Sequence, residues 1–479
     1  MAKAKKDKVK PRVLKGFRDY PPSEQIAREK MLSDLREAVE LMGFLPLQTP
    51  SLEYAETLLG AHYTSDSLAE LFGFLGPDDV EMALRYEFTL SLARYVASQP
   101  NLPLPFRRYQ YGNIWRVDKP GPGRFREFMQ FDIDIVGTQN MLADAEIIAA
   151  MVSIFERLGV RNFKVLYSNR KISNGLIESA GIPSDKGPDV LRVIDKLGRI
   201  GKAAVIEELG QGRTDQSGDV ISGLNLSEQQ ISDLDRFLTT TTQFNPEDRL
   251  CWAREHLQAN ESGRAGVQEL QEIESYLEVM EIDSRKVEID LTIVRGLAYY
   301  TGPVFETVLL DLPEYGSMFS GGRYDNLVDR FLGRSIPAVG SSIGVDRLLA
   351  ALIELKALEL ETSSSKVLVT VMDRERLPEY LKMLRELRSA GIPAEVYSGD
   401  TKNLTRQIRY GDKVGIPFAV IAGSNEFESG QVTIKNLAAG ADKAAGTADR
   451  EQWLKAEGFQ ETIPRKELIS YLRMKLGMN

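Results

Sequence analysis

The densest chemistry in the chain lies in Val294-Arg295-Gly296-Leu297-Ala298-Tyr299-Tyr300-Thr301-Gly302-Pro303-Val304-Phe305-Glu306. Arg295 is a fixed cation. Gly296 lets a ligand approach the backbone. Tyr299, Tyr300 and Thr301 add two phenols and a hydroxyl. Adjacent tyrosines on an extended chain point to opposite faces, so one packs while the other lines a pocket. Taken alone, the stretch fits an anion site and an ordinary aromatic strand equally well. A second cluster surrounds Asp118-Lys119-Pro120-Gly121-Pro122-Gly123, where Arg116, Arg124 and Arg126 stand at the mouth of a predicted hairpin. Guanidiniums there suit bidentate grip on phosphates, and Phe128 can stack on a base. Gln130, Asp132 and Asp134 alternate on the return strand and so share one face. Glu87 and Thr89, two apart on a predicted strand, suit an ammonium ligand or form a solvent-facing pair. Arg347 falls in the first turn of a helix that follows a run of small residues, again a setting for phosphate.

The elements that must position these groups are readable from periodicity. Leu32, Leu35, Val39 and Met42 mark a helix that opens at Pro21-Pro22-Ser23 and ends at Gly43, followed by a strand over Phe44–Gln48 and Thr49-Pro50. Residues 61–79 read as a loop, Met82–Thr89 as a strand and Leu90–Ala97 as a helix. Tyr109–Val117 and Arg124–Val136 form the long hairpin. Ala143–Leu158 reads as a helix and Phe163–Ser168 as a strand. Val304-Phe305 with Thr307–Leu310 reads as a buried strand. Phe319–Leu327, with Gly321-Gly322-Arg323-Tyr324-Asp325, is a glycine floor before a helix. Pro337–Leu348 runs from a strand into the helix carrying Arg347. Between 187 and 287 the chain turns polar and helical, with a break expected at Thr239–Thr242. Gly198–Ala203 lacks the spacing and the hydroxyl residue of a phosphate-binding P-loop. Past a linker at 361–365, strands and helices alternate as in a small α/β domain. There Arg406, Arg409 and Lys413 share one helix face, either solvated or in contact with nucleic acid.

Bulk properties narrow the chemistry. The chain has 479 residues, room for roughly three domains, and is 43% hydrophobic and 27% charged. No apolar run is long enough for a membrane span. The lysine-rich start is not followed by an apolar segment, so it reads as a solvated tail rather than a secretory signal. A lone cysteine, Cys251, excludes an internal disulfide and fits a reducing, cytoplasmic setting. Two distant histidines, His62 and His256, argue against a zinc site and against histidine acid–base catalysis. Catalysis is therefore expected to rest on arginine, carboxylate and magnesium. A net charge of −9 argues against broad nucleic-acid binding while leaving room for a local basic groove.

Together these segments, in this order, resemble the histidyl-tRNA synthetases, a family of class II aminoacyl-tRNA synthetases. The helix, strand and Pro50 resemble the first class II motif, Trp115-Arg116 through Phe128 the second, and Gly340–Leu348 the third. Arg-Gly-Leu-x-Tyr-Tyr at 295–300 and Gly-Gly-Arg-Tyr-Asp at 321–325 resemble signatures of the histidine branch. The resemblance implies an α+β catalytic core with a mixed, mainly antiparallel sheet, a helical insertion and a C-terminal α/β anticodon-binding domain. The boundaries expected are a basic tail at 1–10, core at 11–185, insertion at 186–286, core at 287–360 and anticodon-binding domain at 366–479. It also implies ATP as substrate, Mg2+, L-histidine, histidine tRNA and a homodimer.

Carried over by position, the catalytic residues are Arg295, between the histidine carboxylate and the α-phosphate, and Arg116 on the α-phosphate. Arg124 and Arg347 hold the outer phosphates, Phe128 stacks on adenine and Asp118 belongs to the ATP set. Glu87, Thr89 and Gln130 take the α-amino group, and Asp134 and Tyr300 the imidazole. Tyr299 packs beside that pocket and Tyr324 closes it. Asp134 and Asp118 stand where glutamates are usual, and Ala298 where an aspartate is usual. Glu127 replaces a common glutamine beside the loop at 119–123. Much of the family reads an extra 5′ guanosine on its tRNA through that loop, so a different reading of the acceptor end is expected. The competing expectation is a catalytically inactive paralogue acting as a regulatory or tRNA-sensing subunit.

Overall fold

In a computed structural model, residues 9–62, 65–120, 124–215, 218–293, 300–400, 402–437 and 460–478 are described. Arg295, Ala298, Tyr299, the loop 121–123 and most of the expected basic tail lie outside them. The chain divides into two compact units, one of residues 1–19 and 31–358 and the other of residues 20–30 and 359–479.

The first unit is built on an eight-stranded sheet. Its strand order is Leu45–Pro46, Phe106–Trp115, Glu127–Val136, Ala338–Gly344, Ser317–Arg323, Pro303–Leu309, Phe163–Asn169 and Val287–Ile289. The two edge pairings are parallel and those between are antiparallel, which makes the sheet mixed and mainly antiparallel. Alternation along Glu127–Val136 separates its faces. Phe131, Ile133 and Ile135 are buried on the apolar side, each such burial contributing about 1.5–3 kcal/mol. Helix Leu142–Arg157 packs along the sheet with Ile147, Ile148, Met151, Ile154 and Phe155 buried. Gln130, Asp132 and Asp134 occupy the opposite, polar side.

Arg323, between two residues of the glycine floor and tyrosine, belongs to the apolar side. Its guanidinium forms a buried ion pair with Asp144 of that helix and donates to the Thr138 carbonyl at 2.9 Å. Burial raises the Asp144 carboxyl to about 6 even though Arg323 opposes the shift. This arginine fastens helix to sheet.

Four sequence expectations are corrected. Glu87 and Thr89 do not share a strand face. The strand is Glu81–Leu84, the chain bends, and helix Thr89–Ser98 starts at Thr89. The cause is Arg85, buried in the interior. It donates to the carbonyls of Thr49 (2.7 Å), Pro50 (3.3 Å) and Asn113 (3.1 Å), and packs over the Phe88 ring at 4.6 Å. Residues 61–79 are not simply a loop: they hold helix Ser65–Ala69 and strand Gly73–Leu75, which completes a three-stranded sheet with Leu52–Tyr54 and Glu81–Leu84. Every residue of Gly73–Leu75 is exposed, so no alternation announces it. The threonine run does not break a helix either. Helix Glu228–Gln243 continues through it because Leu234, Phe237 and Leu238 are buried on one face and outweigh the weak β-branched penalty. The expected strand at Phe44–Gln48 is shorter, at Leu45–Pro46.

Residues 186–286 contribute helices Gly187–Ile194, Leu197–Leu209, Glu228–Gln243, Pro246–His256 and Glu261–Val279, with a small hairpin of Gly212–Thr214 and Val220–Ser222. The second unit holds a five-stranded sheet in the order Ala394–Val396, Val367–Val369, Phe418–Ile421, Gln431–Asn436 and Gln460–Pro464. Helices Leu377–Ser389 and Leu468–Lys475 pack on it through Tyr380, Met383, Leu387, Leu468 and Leu472. Helix Leu404–Val414 begins at Asn403, whose side chain caps the Arg406 N–H, and presents Arg406, Arg409 and Lys413 as exposed residues. Among the described residues, no helix is long and apolar enough to cross a membrane.

Candidate active site

The polar side of the eight-stranded sheet floors a cleft of about 540 Å³. Of the residues singled out from sequence, Glu87, Thr89, Arg116, Asp118, Gln130, Asp134, Tyr300, Tyr324 and Arg347 line it. Five separate stretches of chain bring these groups together. Glu87 and Thr89 come from the bend and helix start fixed by Arg85. Arg116, Asp118, Gln130 and Asp134 come from the hairpin, Tyr300 from the entry to Pro303–Leu309, Tyr324 from the end of Ser317–Arg323, and Arg347 from the first turn of helix Val345–Glu354.

Strand register explains the floor. One cross-strand row runs Arg108, Asp134, Gly340, Gly322, Val304, and the next runs Gln110, Asp132, Ser342, Ser320, Glu306. Facing residues in a sheet share a side. Asp134 therefore meets Arg108 directly, with Nη2 at 2.7 Å from Oδ2, and Tyr324 donates its phenol to Oδ1. All three are buried. Burial raises the Asp134 carboxyl, and Arg108 and the Tyr324 hydrogen bond oppose this. Burial and the neighbouring Asp134 charge push the Tyr324 phenol well up. Gly340 is the glycine the row requires, since a Cβ there would stand 1.9 Å from Asp134 Oδ1. Gly322 does the same for Tyr300, whose ring would be 3.0 Å from an added Cβ.

At the other end the cleft is cationic. The Arg116 guanidinium donates to the Tyr86 carbonyl at 3.1 Å and stacks over the Phe128 ring at 5.3 Å. Phe128 itself is outside the cleft lining, against Arg116. Arg347 donates to the Ser317 carbonyl at 2.9 Å; burial, and then the charge of Arg124, lower its pKa. Arg124 is exposed beside it and is not part of the lining. Arg126, the third arginine of the hairpin mouth, is structural. It donates to the Asp118 carbonyl at 3.3 Å and packs against Gly16. Asp346 accepts the Met129 N–H at 2.8 Å, joining the Arg347 helix to the hairpin. Thr301 donates to Asp325 Oδ2 at 2.6 Å, so the segment after Tyr300 is tied to the glycine floor.

The cleft thus has an acidic, hydrogen-bonding end and an arginine end, a layout for an amino acid joined to a nucleotide phosphate. The sequence reading assigned no role to Arg108, Asp132, Ser342 or Glu306. An arginine in an alternating strand reads as surface, and nothing in the residue pair Arg107-Arg108 tells which one is buried.

A family model described as histidyl-tRNA synthetase matches residues 16–348. The chain belongs to the histidyl-tRNA synthetase family. A second model, described as an anticodon-binding domain, matches residues 366–475. The histidine–tRNA ligase of Paracoccus denitrificans is 42% identical over 500 aligned positions, covering 100% of each chain. The crystal structure of histidyl-tRNA synthetase from Nostoc sp. PCC 7120 superposes with a TM-score of 0.81 at 29% identity, over 98% of this chain and 100% of that one. A Bacillus halodurans structure, described as an ATP phosphoribosyltransferase regulatory subunit/histidyl-tRNA synthetase, matches at 26% identity and a TM-score of 0.66. It covers 82% of this chain and 95% of its own. The mixed sheet and the C-terminal domain with its own sheet accord with the histidyl-tRNA synthetase fold.

Proposed function

We propose that this chain activates L-histidine with ATP and transfers it to the 3′ end of histidine tRNA, with the residues of the cleft, and Arg124, Phe128 and Arg295 as the sequence resemblance implies, in the following roles. The observation that carries the reading is the convergence of Glu87, Thr89, Gln130, Asp134, Tyr300 and Tyr324 with Arg116 and Arg347 in one cleft. Glu87, Thr89 and Gln130 hold the α-ammonium. Asp134 and Tyr300 pair with the imidazole, with Tyr324 setting the orientation of the Asp134 carboxylate. A site that pairs both ring nitrogens rejects analogues that cannot hydrogen-bond by about 10⁴.

Histidine's carboxylate attacks the α-phosphorus, a P–O bond forms, and pyrophosphate leaves with the electrons of the bond broken. Positioning and charge neutralisation supply most of the acceleration in such a transfer. Arg116 meets the α-phosphate, Arg295 bridges that phosphate and the histidine carboxylate, and Arg347 and Arg124 meet the outer phosphates. Phe128 stacks on adenine, with Asp118 near it. The terminal ribose hydroxyl of the tRNA then attacks the acyl carbon and AMP leaves.

Among the described residues, no group of three or more His, Cys, Asp or Glu is placed to hold a metal. Mg2+ keeps its waters and binds substrate phosphates with one or two carboxylates, so it fits as a companion of ATP. When bound, it neutralises charge on the outer phosphates. Residues 366–479 bind the anticodon, and the enzyme works as a cytoplasmic homodimer.

The test is ATP–pyrophosphate exchange with purified protein. Exchange that needs L-histidine supports the reading. Its absence would favour an inactive regulatory or tRNA-sensing paralogue.

A further inference from the structure

Asp132 lines the cleft, yet the roles above leave it without a task. It is 4% exposed and sits on the Glu127–Val136 strand between Gln130 and Asp134, about 7 Å from each along the strand. Ser342 donates to its Oδ1. Among the described residues, its Oδ2 receives no hydrogen bond. The charged groups that face it come from three elements: Asp134 on its own strand, Arg108 on Phe106–Trp115, and Arg85 and Glu87 on the bend before helix Thr89–Ser98. Arg108 is in contact with Asp134 at 2.7 Å, and Arg85 is committed to backbone carbonyls. No cation in the described chain is therefore dedicated to Asp132. Burial, with the charges of Asp134 and Glu87, holds its carboxyl up at about 7.

We propose that Asp132 is a further substrate-binding residue, taking the α-ammonium of histidine jointly with Glu87. The proposal rests on the reading of the cleft as a histidine pocket. A histidine whose ring meets Asp134 and whose amino end meets Gln130 must lie over Asp132. An ammonium offers three N–H donors. Glu87 and Thr89 from one element and Gln130 and Asp132 from another surround it with acceptors, the two carboxylates meeting its charge and the hydroxyl and amide sharing the remaining donor. A buried carboxylate short of a cation is stabilised when the ligand brings one. Ser342 keeps Oδ1 occupied and leaves Oδ2 for the ligand. Asp132 is thus specific for the charged amine, not for the ring.

The test compares two ring-bearing ligands on the full chain by calorimetry. L-Histidinol keeps the ammonium and lacks the carboxylate; imidazolepropionate keeps the carboxylate and lacks the ammonium. Asp132→Asn, which still accepts from Ser342, should weaken L-histidinol by about 10- to 100-fold, the range for removing one charge from a charge-assisted hydrogen bond. Imidazolepropionate should change by less than about threefold, on the same scale. Unchanged L-histidinol binding, or an equal loss for both ligands, would overturn the proposal, the second outcome placing Asp132 on the ring. A parallel measurement needs no substitution. In the wild-type chain, the ratio of L-histidinol to imidazolepropionate affinity should rise between pH 6 and pH 8 as Asp132 ionises. The ammonium of one ligand and the carboxylate of the other shift the ring pKa in opposite directions, so each ligand's own ring titration is measured free in solution and removed from the ratio. A flat ratio would also overturn the proposal. Histidine-dependent pyrophosphate exchange by the same preparation separates failure of this assignment from failure of the functional reading.

Discussion

Replacing Arg108 by methionine removes the cation from the floor of the cleft and leaves its shape nearly intact. Arg108 is fully buried, with the side chain at 0% exposure and Asp134 at 4%. Breaking a buried pair by removing one member typically costs about 3–5 kcal/mol, because the remaining charge is left uncompensated. Arg108 also opposes the upward pressure on both Asp132 and Asp134. Without it, the folded state holds a carboxyl proton to higher pH than the unfolded chain does. Stability then falls as pH rises between the unfolded and folded pKa values, by up to about 1.4 kcal/mol per pH unit for each group. Arg108→Met should therefore lose more stability at pH 8 than at pH 5.5. Asp134→Asn in the same background should recover most of the loss, giving a coupling of about 2 kcal/mol in a double-mutant cycle. Urea denaturation at the two pH values reads all of this. A loss below about 1 kcal/mol, the range of an exposed pair, or a pH-independent loss, would refute the assignment of Arg108 as the partner of the Asp134 carboxylate.

Other perturbations separate the parts of the site. Arg295→Ala should lower the adenylation rate by about 10²–10³, with a much smaller change in ATP affinity, if this arginine acts on the transition state; single-turnover adenylation measures it. Gly340→Ala places a Cβ 1.9 Å from Asp134 Oδ1. It should raise the KM for histidine and cost about 1–3 kcal/mol from overpacking, with the KM for ATP little changed in exchange assays. Arg406→Glu with Lys413→Glu on the exposed face of helix Leu404–Val414 should weaken tRNA binding and reduce its salt dependence. Exchange without tRNA should stay the same.

The legible parts of the fold were those whose residue types alternate along the chain or run mostly apolar. Polar and apolar residues alternate over Arg108–Tyr111 and Gln130–Ile135 on the two arms of the hairpin, and Pro303–Leu309 is mostly apolar and almost wholly buried. The strand before Arg347 was legible because its small residues permit close backbone approach. What escaped had other causes. The helix start at Thr89 is set by Arg85, whose partners Thr49, Pro50 and Asn113 are distant in sequence. Gly73–Leu75 is exposed throughout, and Gln460–Pro464 buries Ile463 with four exposed neighbours. Neither strand has a period-2 pattern. For the site, residue type and spacing pointed to the arginines and to Gln130, Asp132 and Asp134. They did not show that Asp132 faces a serine and Asp134 an arginine. Both follow from cross-strand register, which pairs Asp134 with Arg108 inside the hairpin and Asp132 with Ser342 from a strand 210 positions away.

The central claim is that one cleft joins histidine to ATP. The most direct measurement is ATP–pyrophosphate exchange across a panel of amino acids with the full chain. Exchange that depends on L-histidine, with other amino acids at background, is the predicted result. No exchange with L-histidine, or equal exchange with another amino acid, would contradict the account.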